Sequence, residues 1–313
     1  MSRPTPRPTP RAATSLLLAA CAVVATPSEG TAQGMDDVQI TTQQLTDAVY
    51  MLIGQGGNIG LFVGDDGAFV IDDQFAPLTE KILAAIAEVT DQPVRFVFNT
   101  HWHGDHTGGN ENMGEAGALI VAHDNVRERM STEQVLERIG RPVSTTPPSP
   151  DGALPVVTFT QDVSFHINGD ELHAFHVSNA HTDGDAIVHF VGANVVHMGD
   201  TFFRDRFPFI DTATGGSIDG VIAAAGDALA VMDADTQVIP GHGGLSTRED
   251  LRTYRDALKT MRDAVAELMA QGRSLEQIQA ARPAQAQARM WGQDRAAEDS
   301  FVATIHHGLV THP

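Results

Sequence analysis

The run His101-Trp102-His103-Gly104-Asp105-His106 constrains this chain more than any other stretch, because three imidazoles and a carboxylate fall within six residues behind an apolar segment. That segment, Val94-Arg95-Phe96-Val97-Phe98-Asn99, is β-branched and aromatic and lies between Pro93 and the pair Gly108-Gly109, which predicts a buried strand. The cluster therefore sits where a strand ends. In extended backbone His101 and His103 point the same way, and a turn at Gly104 carries Asp105 and His106 toward a second point in space. One loop can thus serve two neighbouring metals. Structural zinc sites are usually rich in cysteine thiolate, and Cys21, the single cysteine, lies far away in the N-terminal segment. The pattern points to an open, catalytic kind of site.

Strands and helices alternate through the rest of the chain. Val49 to Ile53, Asn58 to Val63 and Ala68 to Asp72 read as strands separated by glycine turns, and Leu78 to Thr90 reads as an amphipathic helix. Beyond the histidine run come a strand at Leu119 to Ala122, a charged helix from Asn125 to about Arg138, and a proline-rich connector of irregular structure at 141–155. Strands resume at Val163 to Ile167, Glu171 to Val177, Ala186 to Val191 and Asn194 to His197. A helix from Ile218 to about Met232 and a strand at Gln237 to Ile239 follow. The longest helix is expected from Arg248 to Gln271, where Leu251, Tyr254, Leu258, Met261, Val265 and Leu268 form one apolar stripe. His306, His307 and His312 belong to a polar end and read as solvated. His173 and His176 read as ordinary strand residues, and His123 could lie near the site without any spacing that requires it.

The histidine run resembles the signature of the metallo-β-lactamase superfamily of metallohydrolases, and later motifs match that family in order. These are Asp72 in Phe69-Val70-Ile71-Asp72, His181 in Asn179-Ala180-His181-Thr182-Asp183-Gly184, Asp200 in His197-Met198-Gly199-Asp200-Thr201, and His242 in Pro240-Gly241-His242-Gly243. The resemblance implies an α/β (α+β) fold, a four-layer αββα sandwich with a binuclear metal site at one edge of the two sheets, spanning residues 33–313. It assigns His101, His103 and His181 to one metal and Asp105, His106 and His242 to the other, with Asp200 bridging and Asp72 orienting a ligand from behind. Asp105 and Asp200 are its catalytic carboxylates. The proline-rich connector at 141–155 would join the two half-domains.

By that resemblance the cofactor is two Zn2+ ions, with iron or manganese as alternatives. Paired cations about 3.5–4 Å apart lower the pKa of bound water and polarise the scissile group. The implied function is cleavage of an amide, ester, lactam or thioester in a small-molecule substrate by a metal-bound hydroxide. The segment from His181 to Val188 resembles the β-lactamases, whereas Gly199-Asp200-Thr201-Phe202-Phe203 looks like the thioester-cleaving hydroxyacylglutathione hydrolases. Asp200 stands where class B β-lactamases carry cysteine or serine, which argues against efficient β-lactam turnover. An iron-containing redox protein on the same fold is the alternative class. The segment Phe202 to Phe209 is expected to wall the pocket, Phe203 packing the substrate body and Arg204 or Arg206 pairing with a carboxylate.

Composition narrows the partners. A formal charge of −20, with 20 Lys and Arg residues scattered along 313 positions, lacks the basic stripe of a nucleic-acid binder. Residues 1–32 read as a signal peptide: Arg3, Arg7 and Arg11 precede an apolar stretch from Ala12 to Ala25 that is too short to span a bilayer. Cleavage after Ala25 or Ala32 would release the protein to the periplasm or beyond. Leu18-Ala19-Ala20-Cys21 also resembles the box at which bacterial lipoproteins are cut, which would leave a lipid anchor on Cys21 at the outer membrane. The sequence leaves the oligomeric state open.

Overall fold

The two-residue period of each strand sends alternate side chains to opposite faces, and the apolar residues on both faces oblige the sheets to be covered twice. A computed structural model describes Met1 and residues 34–136 and 143–311. The leader with Cys21, Arg138 and His312 lie outside the described residues. Strands β1 (Thr41–Gln44), β2 (Val49–Ile53), β3 (Ile59–Phe62), β4 (Ala68–Ile71), β5 (Val94–Phe98) and β6 (Leu119–His123) form one sheet, antiparallel as far as β4 and parallel from β4 to β6. A small hairpin of β7 (Gln134–Leu136) and β8 (Ser144–Thr146) follows, and β9 (Val157–Phe159) then joins the first sheet beside β6. The second sheet runs β10 (Asp162–Ile167), β11 (Asp170–His176), β12 (Ala186–Phe190), β13 (Val195–His197), β14 (Gln237–Ile239) and β15 (Ser246–Thr247), with β13 and β14 its parallel pair.

The helices are α1 (Thr79–Ala87), α2 (Gly104–Thr107), α3 (Asn110–Glu115), α4 (Asp124–Met130), α5 (Ile218–Val231), α6 (Arg248–Ala270), α7 (Leu275–Ala281), α8 (Gln285–Met290) and α9 (Arg295–Thr311). In β4, Phe69 and Ile71 join an inner core with Phe98, Leu172, Val188 and Phe190, drawn from both sheets. Their neighbours Ala68 and Val70 pack outward with Leu78, Ile82 and Ile86 at α1. Ile187, Val196 and Val238 do the same beneath α5, α6 and α9. The layers are therefore helix, sheet, sheet and helix, the αββα sandwich. On α6 the stripe Leu251, Tyr254, Leu258, Met261 and Val265 is buried, each such side chain contributing about 1.5–3 kcal/mol, and a Thr247–Asp250 capping box starts the helix.

Three expectations are corrected. The helix after β6 ends at Met130 rather than near Arg138, because Ser131 and Thr132 turn their hydroxyls back onto the Glu128 carbonyl and Gln134 takes that of Arg129. The chain passes from the first sheet to the second after Phe159 rather than within 141–155, since β9 still pairs with β6. The polar end carries α9, whose Phe301, Val302 and Ile305 are buried against α5 and α6, leaving His307 exposed. Among the described residues no helix is long and apolar enough to cross a membrane.

Candidate metal centre

Carboxyl ends of the central strands converge where the two sheets meet. β5 leads to His101 and His103 and then to Asp105 and His106 on α2; β13 leads to Asp200; β14 leads to His242; and the β11–β12 loop supplies His181. The structure gathers these side chains into two groups, His101, His103, His181 and Asp200 in one and Asp105, His106 and His242 in the other, with ligand atoms inside each group within 4.8 Å of one another. Asp200 joins them. Its Oδ1 lies 3.2 Å from His106 Nε2 and 3.4 Å from His242 Nε2, while Oδ2 lies 3.5 Å from His181 Nε2 and 3.8 Å from His101 Nε2. Asp105 Oδ2 is 3.3 Å from His242 Nε2.

Behind four of the imidazoles stands a partner for the other ring nitrogen. Asp72 Oδ2 accepts from His106 Nδ1 at 2.7 Å, Asp211 Oδ2 from His103 Nε2 at 3.0 Å, and the Phe209 carbonyl from His181 Nδ1 at 2.7 Å; His101 Nδ1 meets Thr100 Oγ1 at 3.0 Å. Carbonyl and carboxylate oxygens only accept, so the opposite nitrogens of His103, His106 and His181 present bare lone pairs toward the centre whenever these rings are neutral. Asp72 is itself pinned by the Thr100 amide and hydroxyl, and holds a positive φ of 63°. That conformation is uncommon for a side-chain-bearing residue.

The chemistry of the donors fits divalent metal. His101 Nε2, His106 Nε2 and Asp200 Oδ1 are buried with no hydrogen-bond partner, an arrangement that is costly unless a cation takes the lone pairs. Burial drives His101 well below the ordinary histidine range and His181 down to about 4, so both offer neutral nitrogen at pH 7. For His242 burial opposes charge, but Asp200 and a hydrogen bond with Asp105 outweigh it and raise the group to about 9; the carboxylates around His106 act in the same direction. In the metal-free protein His242 therefore holds a proton at neutral pH. The stabilisation it gains from its carboxylates is full below the free histidine value and is lost as pH rises through about 9. Loading metal at pH 7 must displace that proton. Titration calorimetry in buffers of different ionisation enthalpy is expected to show proton release at pH 7 that diminishes above pH 9.

Two other expectations fare differently. Phe203 lines the cleft beside the groups and stacks on His242 with centroids 5.3 Å apart. Arg204 does not reach the cleft. Phe203 forms a strand-like bridge with His242, so its neighbour points the opposite way, where Arg204 bonds the Leu245 carbonyl, Ser246 Oγ and Asp250 Oδ2. Arg206 is exposed and also absent from the lining. Arg204→Ala is accordingly expected to cost about 1–2 kcal/mol in chemical denaturation and Arg206→Ala almost nothing, with Michaelis constants unchanged in both.

His123 lies outside both groups: it caps α4 through Asn125 N, bonds the Thr160 carbonyl and stacks on His176 at 3.9 Å. Tyr254 is buried against Phe202 and Trp291. Sequence reasoning missed Asp211, Asn58 and Asp185. Asn58 Nδ2 holds the Pro240 and Gly243 carbonyls around His242, and Asp185 Oδ2 accepts the His181 and Thr182 amides. Asp211 and Asn58 belong to no motif with diagnostic spacing, and Asp185 falls inside the His181 to Val188 segment, where nothing in the spacing assigns it a role.

Comparison with known proteins agrees with this geometry. Residues 52–272 match the metallo-β-lactamase superfamily. The chain belongs to that superfamily of metallohydrolases. Among solved structures it is similar to a metallo-β-lactamase from Pontibacter korlensis, with a TM-score of 0.59 and 20% identity over 71% of this chain and 99% of that one. It is similar also to a double mutant of the sec-alkyl sulfatase PisA1, with a TM-score of 0.63 and 17% identity over 87% of this chain and 51% of that one. At such identities the likeness is one of fold. A hydroxyacylglutathione hydrolase from Erythrobacter litoralis is 27% identical over 111 residues, and the match spans about a third of either chain, 35% of each.

Proposed function

We propose that the protein is a binuclear zinc hydrolase acting on an amide, ester, lactam or thioester carbonyl. The observation that carries this reading is the buried Asp200 carboxylate, which turns one oxygen to each histidine group while lone pairs around it lack partners. His101, His103 and His181 would hold one cation and Asp105, His106 and His242 the other, with Asp200 between them. A donor set of imidazole and carboxylate without thiolate suits zinc, and suits iron or manganese less selectively. When bound, such a pair supplies Lewis acidity and makes water nucleophilic near neutral pH. The chain's own contribution is orientation: Asp72, Asp211 and the Phe209 carbonyl fix the rings, while Phe203, Phe209 and Trp102 line the cleft beside them.

The Erythrobacter hydroxyacylglutathione hydrolase makes a thioester the second reading. Residues 1–32 are proposed to direct export, by cleavage after Ala25 or Ala32 or by cleavage before Cys21 with lipidation there; the mass of the mature N-terminus decides between the two modes. The test of the main reading is a hydrolysis screen of stripped and zinc-loaded protein across a cephalosporin, an acyl-glutathione thioester, a lactone, a simple ester and an aryl phosphate diester. Hydrolysis of a carbonyl substrate that chelation abolishes and zinc restores is expected. Activity on the phosphate diester alone, or an iron-loaded coloured protein without hydrolysis, would overturn it.

A further inference from the structure

The cleft beside the two ligand groups, about 1120 Å³ in volume, draws its lining from two sources. Trp102, Phe203, Phe207 and Phe209 come from the metal loops and the aromatic segment that follows Asp200. Asp294, Ala296, Asp299, Ser300 and Thr304 come from α9 and the turn before it, beyond the 52–272 region shared with the family. Among the described residues that line it there is no lysine or arginine. Of the arginines near in sequence, Arg204 pairs with Asp250, Arg282 with Glu298 and Arg295 with Asp299, while Arg206 is exposed.

A substrate carboxylate set against the α9 face of this cleft, rather than against the metal ligands, would leave water for a wall whose described residues include no lysine or arginine, with Asp294 adding repulsion. An uncharged body suffers neither cost. It can stack on Phe203 and Phe207 while an uncharged donor group meets Thr304 Oγ1, whose own hydrogen goes to the Ser300 carbonyl. We propose that the site selects substrates whose non-reacting part is uncharged and apolar, of aryl size, and rejects those that carry a carboxylate there. This rests on the hydrolase reading for the reaction, but the selectivity itself belongs to the cleft. Penam and cephem acids and acyl-glutathione, which carry carboxylates, would then be poor substrates despite the family to which the chain belongs.

The test separates binding from chemistry. Metal-free protein is titrated calorimetrically with naphthylacetamide and with naphthylacetate, nearly isosteric and differing in charge. The amide is expected to bind about tenfold tighter, and Thr304→Lys or the exposed Ala296→Lys to narrow that gap severalfold by placing a cation on the α9 wall. Equal affinities, tighter binding of the acid or binding of neither ligand overturns the inference. Zinc-loaded enzyme is then given a neutral aryl ester and its carboxylated counterpart. Preference for the carboxylated ester sinks the selectivity and leaves the hydrolase standing; hydrolysis of neither ester, with the amide still preferred in binding, sinks the hydrolase and leaves the selectivity.

Discussion

Asp200→Ala is expected to lower kcat/KM on any hydrolysable substrate by on the order of 10³-fold or more and to reduce bound metal below two per chain. The reason is positional. Among the described residues Asp200 is the side chain that reaches both groups, and its two oxygens lie within 3.2–3.8 Å of four imidazole nitrogens. Removing it separates the groups and takes away the carboxylate that balances two cations in a buried place. Asp200→Asn keeps the shape and one oxygen but loses the charge, so it should retain more metal than alanine while remaining far below the parent. Metal content by elemental analysis beside steady-state kinetics checks both variants. An alanine variant with two metals and near-normal turnover would remove Asp200 from the site.

The second large effect is expected from Gly57→Ala, a change outside every recognised motif. A Cβ at Gly57 would lie 2.1 Å from His106 Cε1 and within 2.6 Å of both ring nitrogens. That ring is fully buried and tethered to Asp72, so it has nowhere to retreat without breaking the tether or leaving the metal group. The variant should lose about 1–3 kcal/mol of stability to overpacking and fall to one metal or fewer. Gly104→Ala is the control. Although it stands at the centre of the histidine run, its Cβ would meet nothing within 4 Å, so metal content should be unchanged. Thermal unfolding with metal analysis compares the two; equal behaviour of the glycines would contradict the packing described.

How far the sequence reveals this site depends on how local each signal is. His101, His103, Asp105 and His106 are legible because two ligand pairs share one loop at the end of β5. The turn expected at Gly104 proves to be the first residue of α2, which does the same work without needing glycine. Asp72 is reached through resemblance. Its structural cause, three donors from Thr100 and His106, appears only when β4 and β5 lie side by side. Asp211 is 108 positions from the His103 it supports, and nothing in its neighbourhood distinguishes it from a loop aspartate.

Arg204, expected in the pocket, is turned away from it for a physical reason visible only in three dimensions. The backbone pairing of Phe203 with His242 sets the alternation that turns Arg204 outward to Asp250. Likewise the stripe of Phe301, Val302 and Ile305 is hidden among charged and small residues, so the sequence marks α9 as neither a core helix nor a wall of the cleft. Strand identities were easier, since β2 and β14 have the bounds that their apolar runs suggest.

Anomalous diffraction from a crystal soaked in zinc tests the central claim most directly. Two peaks flanking the Asp200 carboxylate are predicted, one bordered by His101, His103 and His181, the other by Asp105, His106 and His242. A single peak away from Asp200, or side chains splayed apart with no peak between them, would contradict it.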